Sequence, residues 1–376
     1  MLAGRIVLTL AVAGVAACLL VSLGFEALDN GNTEPPTRLP DRASTPAPGT
    51  TLRELADTRG FYIGAAIQSG LLAQESQYAE TAAREFNMVV AEWEMKMDPI
   101  ERRRGLLDFT GADAIIAFAE AHDMAVRGHA LVWHGATPDW VKVGDLTRDQ
   151  AIDLLRTYIY TVVGRYRGRV MAWDVVNEGI DDDGELRRTV WANLIGDDYI
   201  EMAFRWAHEA DPGALLFYND YGAEGMGRKS DAVYELVKGL VDGGVPIHGV
   251  GLQMHISAHD FLSPGGAAEA ARLAENMARL NALGLQVHIT EMDVRTPGAQ
   301  RTPEALERQA QVYRGALETC LQAEACTAFL MWGITDKYTW IRSFFGPEDA
   351  APLIFDENYQ PKPAYFALAA ALAGLD

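Results

Sequence analysis

From Leu52 onward the chain alternates short apolar runs with longer amphipathic stretches, a pattern typical of repeated strand and helix units. Eight of the apolar runs have the length of strands: 61–67, 86–91, 125–132, 170–176, 214–218, 250–255, 285–290 and 328–334. Helical stretches lie between them, among them 111–122, 148–165, 198–209, 229–242, 267–283 and 303–321. Eight such units predict one α/β domain, a single (β/α)8 TIM barrel over residues 51–376. No G-x-G-x-x-G follows the first run, which argues against an open dinucleotide-binding sheet.

The first 50 residues have a different character. Residues 1–25 contain Arg5 and an almost uninterrupted apolar run, which predicts a signal peptide or a membrane anchor. The sequence V-A-A-C at 15–18 resembles a lipoprotein cleavage box, so lipidation at Cys18 is a third possibility. Residues 26–50 are rich in Pro, Thr and Ser and are expected to form a linker. The domain is therefore expected to be exported, either secreted or tethered to the outer face of the membrane through this segment alone.

Charge and cysteine content exclude several classes of protein. A formal net charge of −20 and a pI near 4.8 would repel nucleic-acid backbones and anionic lipids, so neither partner is expected. Cys320 and Cys326 are close in sequence, and an exported chain meets oxidising conditions, so we expect them to form a short-loop disulfide; the alternative is two buried thiols. Because C-x-x-C and H-E-x-x-H patterns are absent from the sequence, we expect no metal site. We expect a monomer.

Polar side chains stand at the ends of the second to eighth apolar runs, where barrel enzymes place their catalytic groups. They are, in chain order, Glu92, Glu94 and Lys96; His129, Trp133 and His134; Asn177 and Glu178; Asn219, Asp220 and Tyr221; Gln253 and His255; Glu291 and Asp293; Trp332, Asp336 and Trp340. Any one of them could be a hydrogen-bonded core residue or a packing residue. Burying so many polar groups without function would be costly, so together they predict one polar site.

Two of these residues predict the chemistry. Glu178 lies just beyond the fourth run and Glu291 directly follows the seventh, and these strands lie nearly opposite each other in an eight-stranded barrel. Paired carboxylates on either side of a cleft suit glycosidic cleavage, in which one protonates the leaving oxygen and the other attacks the anomeric carbon. Indole rings stack on sugar faces, while amide, His and Lys groups bond sugar hydroxyls. The sequence therefore predicts a glycoside hydrolase.

Six motifs in order resemble those of glycoside hydrolase family 10, the retaining endo-β-1,4-xylanases. They are R-G-H-A-L-V-W-H (127–134), W-D-V-V-N-E (173–178), N-D-Y (219–221), G-V-G-L-Q-M-H (249–255), I-T-E-M-D (289–293) and W-G-I-T-D-K-Y-T-W (332–340). The likeness extends from residue 52 to residue 368, where K-P-A-Y (362–365) closes the barrel. It implies a (β/α)8 barrel that cleaves xylan or xylo-oligosaccharides by double displacement without a cofactor. It also implies that Cys320 and Cys326 form a disulfide.

The resemblance also implies roles for single residues. Glu178 would be the acid/base, which is protonated when the substrate binds, and Glu291 the ionised nucleophile. Asn177 would bond the 2-hydroxyl of the sugar under attack, and His255 would orient Glu291. The remaining sugar-binding residues would be Glu92, Trp93, Lys96, His129, Trp133, Tyr221, Gln253, Trp332 and Trp340.

The sequence departs from the family where the glycone, the part of the substrate that is transferred to the enzyme, is held. The family's E-N-E-M-K-W is E-W-E-M-K-M at 92–97, so Trp93 replaces a sugar-binding Asn, and W-H-S-Q is W-H-G-A at 133–136, so Ala136 replaces a Gln. One alternative is therefore a related hydrolase with a restricted glycone site, which acts on short xylo-oligosaccharides or other small β-glycosides. Another is a tethered carbohydrate-binding protein with an inactive barrel, which the intact Glu178 and Glu291 argue against.

Overall fold

The structure is a computed structural model, and it describes residues 49–262, 266–296, 301–346 and 351–375. All of them belong to one compact unit, Ala43–Asp376. The predicted export segment and the predicted linker up to residue 48 lie outside the described residues. Within those residues, none of the helices combines the length and the apolar character needed to cross a membrane.

The centre of the fold is a closed parallel barrel. The described residues contain nine strands: β1 Tyr62–Ile67, β2 Met88–Ala91, β3 Ala125–Trp133, β4 Ala172–Asn177, β5 Leu215–Asp220, β6 Gly249–Leu252, β7 His255–Ser257, β8 Gln286–Arg295 and β9 Cys326–Met331. Strands β1 to β6, then β8 and β9, pair in parallel in chain order, and β9 pairs with β1 to close the ring. The predicted eight-stranded TIM barrel is confirmed.

The predicted sixth strand, 250–255, is wrong in its extent. In the structure β6 ends at Leu252, and His255 begins the separate strand β7, which pairs with the end of β8. The cause is Met254, whose φ of 61° is left-handed and interrupts the extended backbone. The break places His255 directly opposite Asp293 in the register of β7 and β8.

Helices cover the outside of the barrel and fill the loops. They are α1 Leu52–Asp57, α2 Ser69–Gln74, α3 Ser76–Glu85, α4 Met97–Ile100, α5 Thr110–Ala121, α6 Asp139–Lys142, α7 Arg148–Arg165, α8 Val190–Leu194, α9 Tyr199–Ala210, α10 Arg228–Asp242, α11 Ala258–Leu262, α12 Gly266–Asn281, α13 Pro303–Gln322, α14 Ile341–Phe344 and α15 Pro363–Ala373. The six predicted helical stretches all correspond to helices. Local signals fix some ends: Thr147 forms a capping box with Gln150 at the start of α7, and Pro303 follows the N-cap Thr302 of α13.

The apolar core lies mainly between the strands and the surrounding helices, and a smaller cluster lies inside the barrel. The inner cluster contains Ala66, Met88, Val90, Ala328, Leu330 and Trp332. Cys320, in α13, and Cys326, at the start of β9, are joined by a disulfide with an S–S distance of 2.01 Å, as the family resemblance implied. This packing fixes the strand ends on which the predicted site residues stand.

Candidate active site

Strands β4 and β8 position the two glutamates. Asn177 is the last residue of β4 and Glu178 follows it with a φ of 57°, a left-handed conformation that non-glycine residues seldom adopt. The Glu178 amide still donates to the Asn219 carbonyl, at 2.8 Å, so the ladder between β4 and β5 continues one residue beyond β4. Glu291 lies within β8 and is buried, whereas Glu178 is partly accessible.

A chain of amide side chains connects the two carboxylates. Asn219 Nδ2 donates to Glu291 Oε1 at 2.6 Å and to Asn177 Oδ1 at 2.9 Å. Gln253 Nε2 donates to the same Asn177 oxygen at 3.1 Å and to Glu178 Oε1 at 3.2 Å. In the opposite orientation Asn177 Nδ2 would donate to the Asn219 carbonyl at 3.2 Å and Oδ1 would accept from Trp133 Nε1 at 3.3 Å. But Nδ2 would then face the amide donors of Asn219 and Gln253, so the orientation described is the one that keeps both of those bonds. The structure thus brings Glu178, Glu291, Asn177 and Gln253 into one site.

Glu291 is held as a carboxylate. Its Oε2 lies 3.2 Å from His255 Nε2, and its Oε1 lies 3.8 Å from His129 Nδ1. Burial by itself would raise the pKa of Glu291, but His129, His255 and Lys96 together hold that pKa below its usual value. A buried carboxylate that stays ionised at neutral pH is suited to attack on an electrophilic carbon.

His255 lies between two carboxylates. Its Nδ1 is 2.9 Å from Asp293 Oδ2, and Trp340 Nε1 donates to the same oxygen at 2.8 Å. Burial would lower the pKa of His255, yet Asp293 and Glu291 raise it to about 10. His255 is therefore an imidazolium at neutral pH and donates a hydrogen bond on each side.

A buried ion pair between Arg127 and Asp174 contacts His129. The Arg127 guanidinium is fully buried and bonds both oxygens of Asp174, at 2.9 Å from Nε and through a second bond from Nη2. Asp174 Oδ2 also lies 2.9 Å from His129 Nδ1. The other side of the guanidinium contacts His288 Nδ1 at 2.8 Å, and burial together with Arg127 keeps the pKa of His288 well below its usual range. A neutral His288 can accept this bond, so the base of the site is a closed polar network.

The surroundings of Glu178 are less enclosed. Its side chain is 14% exposed, and Oε2 lies 3.9 Å from His134 Nε2. Burial lowers the pKa of His134 below its usual value, with help from Arg187, although Glu178 opposes the shift. His134 is therefore a neutral imidazole at neutral pH. A carboxyl group that reaches solvent can exchange protons with a leaving group and with water.

Four indole rings line a pocket of about 490 Å³. Its lining comprises Gln68, Gly70, Glu92, Trp93, Glu94, Lys96, Trp133, Trp332 and Trp340. Lys96 Nζ lies 4.5 Å from the ring centroid of Trp133, 5.1 Å from that of Trp93 and 5.5 Å from that of Trp332. Burial lowers the pKa of Lys96 and raises that of Glu92 to about 7.

Tyr221 lies apart from the indoles and lines a second pocket together with His255 and Arg295. Its hydroxyl donates to Asp182 Oδ1 at 2.5 Å and accepts from Arg187 Nη2 at 3.1 Å. The Lys229 ammonium lies 3.3 Å from the centroid of its ring. The two pockets share no lining residue.

Several residues that contact the site were not assigned roles from the sequence, among them Asn219, Asp293 and Arg187. Asn219 and Asp293 belong to quoted motifs, and their position at strand ends was the available signal. Arg187, which bonds the Glu178 carbonyl at 2.9 Å, lies in the loop after β4 and carries no such signal. Within the described residues, no cluster of His, Cys, Asp and Glu has the geometry of a metal site.

Comparison with known proteins agrees with this geometry. The sequence model for glycosyl hydrolase family 10 matches residues 51–371. Endo-1,4-beta-xylanase B of Thermotoga neapolitana is 42% identical over 319 residues, 84% of this chain and 90% of that protein. A beta-1,4-xylanase of Dictyoglomus thermophilum is 39% identical over 316 residues, 82% of this chain and 87% of that protein. The crystal structure of xylanase 10B from Thermotoga petrophila RKU-1 in complex with xylobiose has a TM-score of 0.82 at 42% identity, covering 86% of this chain and 97% of that one. The chain belongs to glycosyl hydrolase family 10 and is a glycoside hydrolase.

Proposed function

We propose that this enzyme is a retaining endo-β-1,4-xylanase, with Glu178 as the acid/base and Glu291 as the nucleophile. The observation that carries the proposal is the linked pair of carboxylates, in which Glu291 is buried and ionised and Glu178 reaches solvent. The similarity to xylanases, one of them solved with xylobiose, supports xylan and xylo-oligosaccharides as substrates.

In the first step a carboxylate oxygen of Glu291 attacks the anomeric carbon. The glycosidic C–O bond breaks, and the proton of Glu178 passes to the leaving oxygen. The products are a glycosyl ester on Glu291 and a free chain end. Asn219 and His255 hold one Glu291 oxygen each, so the attacking carboxylate does not need to reorient.

In the second step a water molecule attacks the same carbon from the face that the leaving group vacated. Glu178, now a carboxylate, accepts a proton from this water, and Glu291 leaves as a carboxylate. The two displacements each invert the anomeric carbon, so the product keeps the β configuration. Asn177 contacts Glu178 and is linked to Glu291 through Asn219, and in this role it would bond the 2-hydroxyl, a contact that strengthens in the transition state.

Azide trapping tests both roles in one experiment. Glu178→Ala should still cleave 2,4-dinitrophenyl β-xylobioside, and azide should then form the β-glycosyl azide by replacing water. Glu291→Ala should lose this activity, and azide acting in place of the carboxylate should give the α-azide. Glu80→Ala on the exposed side of α3 is the matched control. Full activity of Glu291→Ala without azide would refute the assignment.

A second candidate keeps this chemistry and restricts the glycone site to short substrates. Trp93 is 41% exposed and stands at the edge of the indole pocket, where the family has an Asn. Ala136, where the family has a Gln, is buried and offers no side-chain amide to a sugar. Each replacement removes an amide that could bond sugar hydroxyls, and Trp93 adds apolar surface, so binding of a long hydroxyl-rich chain would be weakened.

Product profiles separate the two candidates. An endo-acting enzyme releases mid-chain fragments from polymeric xylan, whereas a restricted glycone site favours small products from xylohexaose and little cleavage of polymer. Trp93→Asn should then increase activity on polymer relative to xylohexaose, with Trp140→Asn, on a helix outside the pocket, as the control. Mid-chain release by the unaltered enzyme at the rate of its relatives would refute the restricted site.

We also propose that the enzyme acts outside the cytoplasm, as the apolar run in residues 1–25 suggests. Fractionation of cells expressing the full chain tests this. Globomycin sensitivity of processing would identify lipidation at Cys18, and a residue 26 N-terminus would identify an ordinary signal peptide. Recovery of the unprocessed chain in the cytosol would refute export. Light scattering of the purified domain tests whether it is a monomer.

A further inference from the structure

The backbone around Glu178 is held by one side chain from the loop that follows β4. Arg187 Nε donates to the Glu178 carbonyl at 2.9 Å, and Arg187 Nη2 donates to the Ile180 carbonyl at 3.1 Å. The backbone amide of Arg187 donates to the Gly179 carbonyl at 2.8 Å. Three consecutive carbonyls that begin at the acid/base are therefore bonded by one residue.

These bonds act on a backbone that has an uncommon conformation. Glu178 has a φ of 57°, which costs free energy in any residue with a side chain and persists only where neighbouring contacts enforce it. The loop closes on itself through the antiparallel bridge between Ile180 and Leu186, and the Ile180 amide donates to Tyr218 at 2.9 Å. In this loop Arg187 supplies the side-chain bond to the carbonyl of Glu178 itself.

The same guanidinium contacts a predicted sugar-binding residue. Arg187 Nη2 donates to the Tyr221 hydroxyl at 3.1 Å, and that hydroxyl donates to Asp182. Tyr221 lines the pocket that lies apart from the indoles, beside His255. Arg187 thus connects the backbone of Glu178, the proposed acid/base, to Tyr221. Tyr221 lines the pocket that would receive the leaving half of the substrate.

We propose that Arg187 is a positioning residue for proton donation, which keeps the Glu178 carboxyl group aimed at the leaving oxygen. The proposal rests on the acid/base role of Glu178 proposed above. Arginine is required because its planar fork can donate to two carbonyls and a hydroxyl at once, which a lysine ammonium on a flexible stem cannot do in the same geometry. Replacing Arg187 should therefore lower kcat/KM most for substrates whose leaving group must be protonated as it departs.

A series of aryl β-xylobiosides measures this dependence. 2,4-Dinitrophenolate departs without protonation, whereas phenolate and a sugar alkoxide need the proton. For Arg187→Met we expect kcat/KM to fall roughly 10²-fold on phenyl β-xylobioside and xylotetraose, and to stay within a few-fold on the dinitrophenyl substrate. Because kcat/KM reports the first step, slower release of the glycosyl ester does not disturb the comparison.

The neighbouring arginine provides the matched control. Arg188 is exposed and pairs with Asp197 at the surface, 3.0 Å away, so Arg188→Met should leave every substrate unchanged. If Arg187→Met does not fold, Arg187→Lys keeps the charge and the apolar stem and should show the same leaving-group dependence at smaller size. For whichever variant folds, the proposal would be overturned if kcat/KM fell equally for all leaving groups or did not fall for any of them.

Glu178→Ala in the same series keeps the two proposals distinct. If Glu178→Ala shows strong leaving-group dependence and the folded Arg187 variant does not, only the positioning role fails. If Glu178→Ala shows no such dependence, the acid/base assignment fails, and the positioning role fails with it.

Discussion

His255 Nε2 lies 3.2 Å from Oε2 of Glu291, and the imidazole is charged because Asp293 lies 2.9 Å from its other nitrogen. The contact therefore joins a cation to the proposed nucleophile, and stabilises the carboxylate that a buried position would otherwise disfavour. It depends on the interruption of the predicted sixth strand at Met254, since that break sets His255 opposite Asp293.

The charge on His255 should make stability fall with rising pH. The pKa of His255 is about 10 in the folded protein against 6.5 for the free side chain, so the folded state binds the extra proton between these values. The stabilisation is complete below pH 6.5 and is lost as the pH rises through 10, at up to about 1.4 kcal/mol per pH unit. Urea unfolding at pH 6.5, 8 and 10 should therefore show the gap between the unaltered protein and His255→Asn narrowing as the pH rises.

The control for this prediction is His122→Asn, at the exposed C-terminus of α5. Ionisation of Lys and Tyr residues at high pH affects all three proteins alike and cancels in the differences. A gap for His255→Asn that stays constant from pH 6.5 to 10 would show that His255 is neutral in the folded protein.

Much of the site could be predicted because parallel strands carry chemistry at one end. Glu178 and Glu291 each stand where an apolar run meets polar residues, and a closed barrel brings such positions together whatever their separation in sequence. The order of six motifs then implied their roles. These signals are local to each strand, so a single sequence displays them.

Other features depend on contacts that no local pattern encodes. Val250, Leu252 and Met254 alternate with Gly251 and Gln253 as in a continuous strand, and the period does not show that Met254 is left-handed. Arg187 reaches Glu178 only because the intervening loop folds back through backbone hydrogen bonds. A loop side chain that positions a catalytic group, such as Arg187, therefore has no local sequence signal and is recognised only in the structure.

Asn219 should contribute to catalysis through Glu291. Its amide donates to Glu291 Oε1 at 2.6 Å and accepts from Thr290 Oγ1 at 2.8 Å, and all three residues are buried. Asn219→Ala leaves a buried carboxylate oxygen without this donor, at a cost of about 1–3 kcal/mol. We expect kcat/KM on xylotetraose to fall roughly 10–100-fold, while Asn281→Ala, at the exposed end of α12, should have no effect. Unchanged kcat/KM in folded Asn219→Ala would show that the remaining contacts suffice.

Gly251 should be essential for the placement of Asn219. A Cβ on Gly251 would lie 2.0 Å from Asn219 Oδ1 and 2.8 Å from Thr290 Cγ2, so alanine must displace the amide that holds Glu291. We expect Gly251→Ala to lower kcat/KM as Asn219→Ala does and to lower the free energy of unfolding by about 1–3 kcal/mol. The double variant should be no less active than the worse single one, because both changes remove the same contact.

The control for Gly251 is Gly239→Ala in the last turn of α10, where an added Cβ meets no atom within 4 Å. That change should stabilise the protein by about 0.5–1 kcal/mol, since alanine has the better helix propensity. Equal effects of the two substitutions would contradict a specific steric role for Gly251.

Lys362 should be important for stability and not for the chemistry. Its ammonium is buried and bonds Asp336 Oδ2 at 2.9 Å and the carbonyls of Ala351 and Leu353, which ties α15 to the loop after β9. Lys362→Met leaves the Asp336 carboxylate buried without its counter-charge, and we expect a loss of about 3–5 kcal/mol in the free energy of unfolding. Adding Asp336→Asn should restore part of this loss, because the uncompensated charge is then gone.

The control Lys238→Met, which removes a pair with Asp242 on the surface of α10, should cost at most about 1 kcal/mol. Urea unfolding at pH 7 distinguishes them, and a loss for Lys362→Met no larger than for Lys238→Met would mean that water replaces the ammonium at this position.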